Sequence, residues 1–250
     1  MKLNESKCHF IIATKSPEHF WIKVGEQIVW ESSLEKLLGV KIDSKLKFNE
    51  HLIKLCKEAS GKVTALARLI NIVPMDRKKI LMKSFVESQF SYCPLIWMFC
   101  GSRRLNRRIN QIHERGLRIV YRDYVSSFEE LLRKDESVCV HHRNIQFVAI
   151  EMFKVKNNLS SKMMRDLFKF NSHDDGRTFL IPNANSEYMG RLSLRWFGPV
   201  VWEKMLPNRF KGIILMEKFK EEIKKWVPEN CPCRLCKNYI GFVGFMETFE

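Results

Sequence analysis

GSRRLNRRINQIHERGLRIVYR, residues 101–122, carries two interleaved helical periods. Leu105, Ile109, Ile112, Gly116, Ile119 and Val120 recur at three- and four-residue steps and predict one apolar helical face. Arg104, Arg108, Arg115, Arg118 and Arg122 recur at the same steps one residue out of phase, with Gln111 filling the gap. This second stripe lies about 100° round the helix from the first. Such a helix can dock its seam on a core and still hold guanidinium groups in solvent. A regularly spaced polyanion is the natural partner, and a nucleic-acid backbone fits best. A solvated arginine-rich face, a membrane surface and an acidic protein are the alternatives.

The neighbouring sequence is basic too. Between Lys54 and Arg122 there are fifteen Lys/Arg against Glu58, Asp76, Glu87 and Glu114, so this stretch holds +11 of the chain's net +15. Lys62 and Arg68, on the preceding predicted helix, are candidates to join the arginine row.

The 250 residues allow one large domain or two smaller ones, and 45% hydrophobic with 28% charged residues is ordinary for a folded soluble protein. No run approaches eighteen uncharged apolar residues, so no membrane span is expected. The N-terminal apolar patch is too short for a signal-peptide core. Cys8, Cys56, Cys93, Cys100 and Cys139 are scattered in apolar or helical surroundings, as reduced intracellular cysteines are. A nuclear or cytoplasmic protein is expected.

The fold class read from the pattern is α+β, mainly α. Residues 1–45 read as a small antiparallel sheet: Trp21–Val24 and Gln27–Trp30 flank Gly25-Glu26, a hairpin signal. Residues 37–43 read as one further strand, its glycine suggesting a bulge or close approach. From Asn49, a credible cap, Leu52, Cys56, Ala59, Val63, Leu66, Ile70 and Val73 keep a helical period until Pro74. Asp76 is read as the cap of the next helix, with Ile80, Leu81, Phe85 and Val86 as its apolar positions. With the arginine helix these make a basic three-helix bundle over 46–122. A further helical region, 123–250, holds Ser127–Lys134, Val138–Asn157, Ser160–Phe168, a polar loop over 171–190, a helix starting at Phe197-Gly198-Pro199, and a last helix marked by Met216, Phe219, Ile223 and Trp226.

Chemistry-bearing clusters are few. Asp174-Asp175 is the only adjacent aspartate pair and lies in NSHDDGR, a polar stretch that reads as a loop. His141-His142 sits in a helix without zinc spacing, His142 facing the core. Cys231-x-Cys233-x-x-Cys236 is the candidate for a structural Zn²⁺. A structural site takes four ligands, no Cys or His follows Cys236, and the nearest upstream candidates are His173 and Cys139. No phosphate-cradling glycine loop and no nucleophile elbow occurs, so no small-molecule substrate is expected. The six tryptophans read as core or interface residues.

Several longer strings together resemble a known family. MKLNESKCHFII (1–12), EKLLGVKIDSKLKFNEHL (35–52), FVESQFSYCPLIW (85–97) and RRLNRRINQIHERGLRIV (103–120) are similar to the region following the active site of reverse transcriptases of non-LTR (LINE, jockey-like) retrotransposons. RLSLRWFGPVVWEKMLP (191–207), FKEEIKKW (219–226) and CPCRLCKNYI (231–240) are similar to the C-terminal segment of those proteins. The resemblance implies that Leu3, Asn4 and Lys7 match a motif after the palm's aspartate strand, and that residues 1–45 correspond to the end of the palm. It likewise implies that Leu38, Gly39, Val40 and Ile42 match the strand turn that holds the primer end, and that 46–122 is a thumb. The partner implied is an RNA–DNA or DNA duplex.

Family members also carry a Tyr-x-Asp-Asp turn upstream of the Leu-Asn motif. Polymerase chemistry uses such carboxylates to hold two Mg²⁺ ions about 4 Å apart. This chain contains no Tyr-x-Asp-Asp. The expectation is a truncated reverse transcriptase that binds template–primer nucleic acid without cofactor or catalysis of its own. The alternatives are a part of an active RNA-directed DNA polymerase when upstream palm and fingers are present, and a basic helical protein-interaction module.

Overall fold

Gly25 takes φ 61° at the first central position of a two-residue turn, the conformation that a type II′ hairpin requires and that glycine adopts without steric cost. It joins β1 (Trp21–Val24) to β2 (Gln27–Trp30), paired antiparallel with Trp21 opposite Trp30, as the sequence predicts. The computed structural model describes residues 8–13, 20–69, 71–98, 102–171, 178–185, 190–191 and 193–228. Leu3, Asn4, Lys7, His173, Asp174, Asp175, Cys231, Cys233 and Cys236 lie outside them.

The single strand expected over 37–43 is instead half of a second hairpin. β3 (Leu34–Leu37) and β4 (Val40–Asp43) pair around Leu38-Gly39. Both turn residues have positive φ, 47° and 90°, the I′ arrangement that matches strand twist. Gly39 therefore turns the chain rather than bulging a strand. β3 was hidden because Leu-Glu-Lys-Leu has no β-branched residue. The two hairpins are separate two-stranded sheets.

Asp43 links sheet to helix. Its carboxylate accepts from the backbone N–H of Lys45 and Lys47 at 3.1 Å each and of Phe48 at 2.6 Å. The chain then enters α1 (Asn49–Leu69), with Asn49 as the first helical residue rather than the residue before it. Leu52, Cys56, Ala59, Val63 and Leu66 are buried along it as their spacing predicts.

The next helix departs from the expected pattern. α2 (Met75–Leu81) follows Pro74, with Asp76 inside it, and runs into a wide π turn (Met82–Val86) and a 3₁₀ turn (Glu87–Phe90). The extra residue in a π turn rotates everything after it. Met82, Val86 and Phe90 are buried, whereas Ile80 and Phe85, expected inside, are 52% and 55% exposed. After α3 (Pro94–Trp97) comes α4 (Arg103–Tyr121). A Cβ on Gly116 of α4 would overlap the thioether end of Met82 and touch Val63, and Arg122 donates to Asn71 Oδ1 at 2.9 Å. α1 and α4 therefore run in the same direction, with 75–90 returning between them.

The remaining helices wrap this bundle. α5 (Phe128–Asp135) starts with a capping box, Ser127 and Glu130 satisfying each other's backbone donors. α6 (Val140–Lys156) buries His142, Ile145, Val148, Met152 and Val155. α7 (Lys162–Arg165) is shorter than the expected 160–168. α8 (Leu194–Val200) begins three residues earlier than expected and places Pro199 inside it, and a π turn (Val201–Met205) carrying buried Trp202 follows. Leu194, Arg195 and Trp196 are helix-compatible residues that start the helix after Ser193, so proline falls beyond the first turn. α9 (Asn208–Lys211) and α10 (Met216–Ile223) follow, with Phe219, Ile223 and Trp226 buried. One apolar cluster runs from Val40 through both sets of helices to Trp226. The architecture is thus α+β and mainly α, with small hairpins at its N-terminal side. No helix among the described residues is long and apolar enough to cross a membrane.

A charged clamp sits inside this packing. Glu87 Oε2 lies 2.7 Å from Arg143 Nη2 on α6, and Oε1 lies 3.4 Å from Nε2 of His113 on α4. Burial pushes the Glu87 carboxyl up, but adjacent His113 and the charges of Arg143 and Lys83 outweigh it and bring it down to about 2. A depressed carboxylate stabilises the fold above its ordinary value near 4.5 and loses that contribution as pH falls toward about 2. Acid titration followed by circular dichroism should show this loss, and Glu87→Gln should flatten it. At neutral pH, Glu87→Gln should destabilise by roughly 3 kcal/mol in urea melts, because Arg143 loses its counter-charge. Leu38→Asn should raise stability by about 1 kcal/mol, since asparagine tolerates the left-handed conformation that leucine resists.

Candidate nucleic-acid interface

α4 is buried on two sides. Leu105, Ile109, Ile112, Gly116, Ile119 and Val120 face the bundle, while Asn110, His113 and Leu117 are buried round the far side, Leu117 against Phe128, Leu131 and Cys139. Ser102 caps the start by accepting from Leu105 N at 3.4 Å, and Arg122 ends it at φ 53°. What remains exposed is one edge: Arg104, Arg107, Arg108, Gln111 and Arg115. None of these arginines is in a salt bridge among the described residues. From Arg104 to Arg115 the row spans about 16 Å of helix.

The lower end of the row differs. Arg118 is half-buried and gives two bonds to Glu114 Oε1, at 3.2 Å from Nε and 2.7 Å from Nη2, and a third to the Asp123 carbonyl at 3.4 Å. Arg122 is exposed but bonded to Asn71. These two guanidinium groups hold the fold, whereas Arg104, Arg108 and Arg115 stand in solvent. Arg107, absent from the sequence candidates, belongs with them. Its signal was its place four residues before Gln111 and eight before Arg115.

α1 contributes unequally. Arg68 and Lys57 are exposed on its outer face; Lys62 is half-buried and lies about 120° round the helix from Arg68. Burial pushes the Cys56 thiol up to about 11, while the Arg108 charge pulls the other way. Lys57 and Arg68 lie on one exposed face of α1, about 20° apart round the helix.

The four residues likened to a primer-holding turn are gathered at the β3–β4 tip. Leu38 is 82% exposed in the left-handed region, Gly39 lies 3.6 Å (as a built Cβ) from the Tyr92 ring, Val40 is buried, and Ile42 is partly buried against the core. The Tyr92 hydroxyl donates to the Leu38 carbonyl and holds the tip in place. β4 meets the start of α1, where the Lys41 N–H donates to His51 Nδ1 at 3.4 Å, and α4 runs in the same direction as α1, so tip and arginine row start from the same end of the bundle.

Tryptophans divide. Trp97, Trp202 and Trp226 are buried, as expected, but Trp21 and Trp30 form a cross-strand pair 55% and 63% exposed. Strand alternation alone could not assign their face, because neither side of this hairpin is covered along its whole length. Among the described residues, no group of His, Cys, Asp or Glu is arranged to hold a metal ion; the three clustered cysteines lie outside those residues.

No family model matches the chain, and comparison with curated proteins and with solved structures gave no match.

Replacing Arg104, Arg107, Arg108 and Arg115 together by Gln should leave the thermal melt unchanged and flatten the salt dependence of duplex binding. With four phosphate contacts removed, the slope of log K against log salt should fall in magnitude by about 3–4 on B-DNA. Arg118→Gln should act differently, lowering stability by about 1 kcal/mol through the lost bonds to Glu114 and Asp123.

Proposed function

We propose that the chain binds the backbone of a nucleic-acid duplex along the α4 edge, in the manner of a reverse transcriptase thumb of non-LTR retrotransposon type. The observation that carries this reading is the row of exposed Arg104, Arg107, Arg108 and Arg115 on a helix otherwise buried on two sides. A helix held this firmly cannot turn its arginines inward, and among the described residues no carboxylate pairs with them. Phosphates spaced along a duplex would do so, and contacts of this kind set position without reading sequence. Lys57 and Arg68 on α1 extend the same field. RNA–DNA hybrid and DNA duplex are both suitable partners.

The β3–β4 tip supports the same reading. Leu38, Gly39, Val40 and Ile42 would meet the primer end, with Leu38 held outward in a strained backbone by Tyr92. Backbone strain held by a side-chain bond is a feature of ligand-contacting segments. Polymerisation would need carboxylates beyond those of this sequence, with Mg²⁺ held by an intact palm. In such a longer protein the function becomes RNA-directed DNA polymerisation, with this region as thumb. A structural Zn²⁺ on Cys231, Cys233 and Cys236, and a nuclear or cytoplasmic location, belong to the same proposal.

Filter binding in increasing salt tests it. RNA–DNA hybrid and DNA duplex of unrelated sequences should bind alike, and log K should fall linearly with log salt at a slope near −4 or steeper. The purified chain with Mg²⁺ should give no primer extension. Tighter binding to polyglutamate than to duplex would transfer the reading to an acidic protein partner, and extension by the pure chain would contradict the binding-only role.

A further inference from the structure

The segment that follows α4 is firmly built, yet it leaves two side chains largely in solvent. Tyr124 is 70% exposed and Val125 97%. One carboxylate fixes the loop around them. Asp123 Oδ1 accepts from the backbone N–H of Val125 at 3.3 Å and of Ser126 at 3.0 Å. Its Oδ2 accepts from Ser126 Oγ at 2.8 Å and from Lys134 Nζ at 3.2 Å. These bonds, those of Ser126 foremost, hold the Asp123 carboxyl well below the ordinary carboxylate range. Arg118 donates to the Asp123 carbonyl from the α4 side. The loop is pinned at its base, and its tip projects.

Scattered exposed apolar residues are ordinary on protein surfaces; here placement sets the pair apart. The tip follows directly on the arginine row, with Arg122 about 10 Å along the helix from Arg115. That distance is roughly three base-pair steps at 3.4 Å each. Arg118, Arg122 and Lys134 stand around the base of the loop. Arg118 is balanced by Glu114 and Lys134 by Asp123, and Glu129 and Glu130 of α5 are exposed beyond them. The result is an aromatic and a β-branched side chain raised just beyond one end of the row.

We propose that Tyr124 stacks on the first unpaired base at the end of a duplex lying along α4, with Val125 as a wedge beside it. This inference rests on the nucleic-acid reading above and adds what the far end of the row recognises. The partner must offer a polyanionic backbone that terminates in an open π face. An unpaired nucleobase at a duplex end has both, and tyrosine stacks on any base. An acidic peptide supplies the charge without the face.

The test uses the full chain and a DNA duplex with a short single-stranded overhang. 2-Aminopurine is placed either at the first unpaired position or in the duplex interior. Wild-type protein should change the fluorescence of the overhang label and leave the interior label unchanged. Tyr124→Phe should keep the effect. Tyr124→Ala should abolish it and weaken binding to the overhang duplex about tenfold, with the salt slope unchanged because no phosphate contact is removed. Duplex binding by wild type with no response of the overhang label overturns the stacking role and leaves the arginine row standing; so does a response that survives in Tyr124→Ala. Failure of wild type to bind either duplex overturns both.

Discussion

The two-sided burial of α4 is the constraint on which the other features depend. Its seam from Leu105 to Val120 closes the bundle against α1 and the Met82–Phe90 turns, and Leu117 closes a second small core with Phe128, Leu131 and Cys139. A helix with one apolar face can roll on its neighbours, whereas one gripped on two faces cannot. The Glu87 clamp adds a third restraint by joining the 3₁₀ turn, α4 and α6 through His113 and Arg143. Removing one member leaves buried charge uncompensated, which makes this junction costly to disturb.

From that rigidity comes a sorting of the arginines that sequence periodicity could not make. All of Arg104, Arg108, Arg115, Arg118 and Arg122 satisfy the same helical step, yet Arg118 is taken up by Glu114 and the Asp123 carbonyl, and Arg122 by Asn71. The i, i+4 pairing of Glu114 with Arg118 was legible in the sequence. The bond between Arg122 and Asn71 was not, since it needs the parallel packing of α1 and α4. Lys62 is half-buried, and its inclination toward the core follows from which side of α1 is covered.

Much of the fold was readable where local rules act alone. The Gly25 turn and the buried positions of α1, α4, α6 and α10 follow from strand and helix periods and turn chemistry. Errors fall where tertiary packing overrides those rules. The π turn at Met82–Val86 breaks the helical period, so Phe85 faces outward while Met82 fills the space left by Gly116; Ile80, ahead of the turn, is exposed as well. β3 has a composition foreign to strands and exists because the Leu38-Gly39 turn, held by Tyr92, brings it to β4. The candidate interface was therefore visible as a row of charge, Arg107 included by its spacing, but the strained Leu38 and the Tyr124-Val125 tip required three dimensions.

Nuclear magnetic resonance of the arginine Nε–Hε groups during titration with duplex tests the central claim most directly. The account predicts that the Arg104, Arg107, Arg108 and Arg115 signals shift together and lose their response as salt is raised, while Arg143, held by Glu87, stays in place. Saturable duplex binding with those four signals unmoved would contradict it.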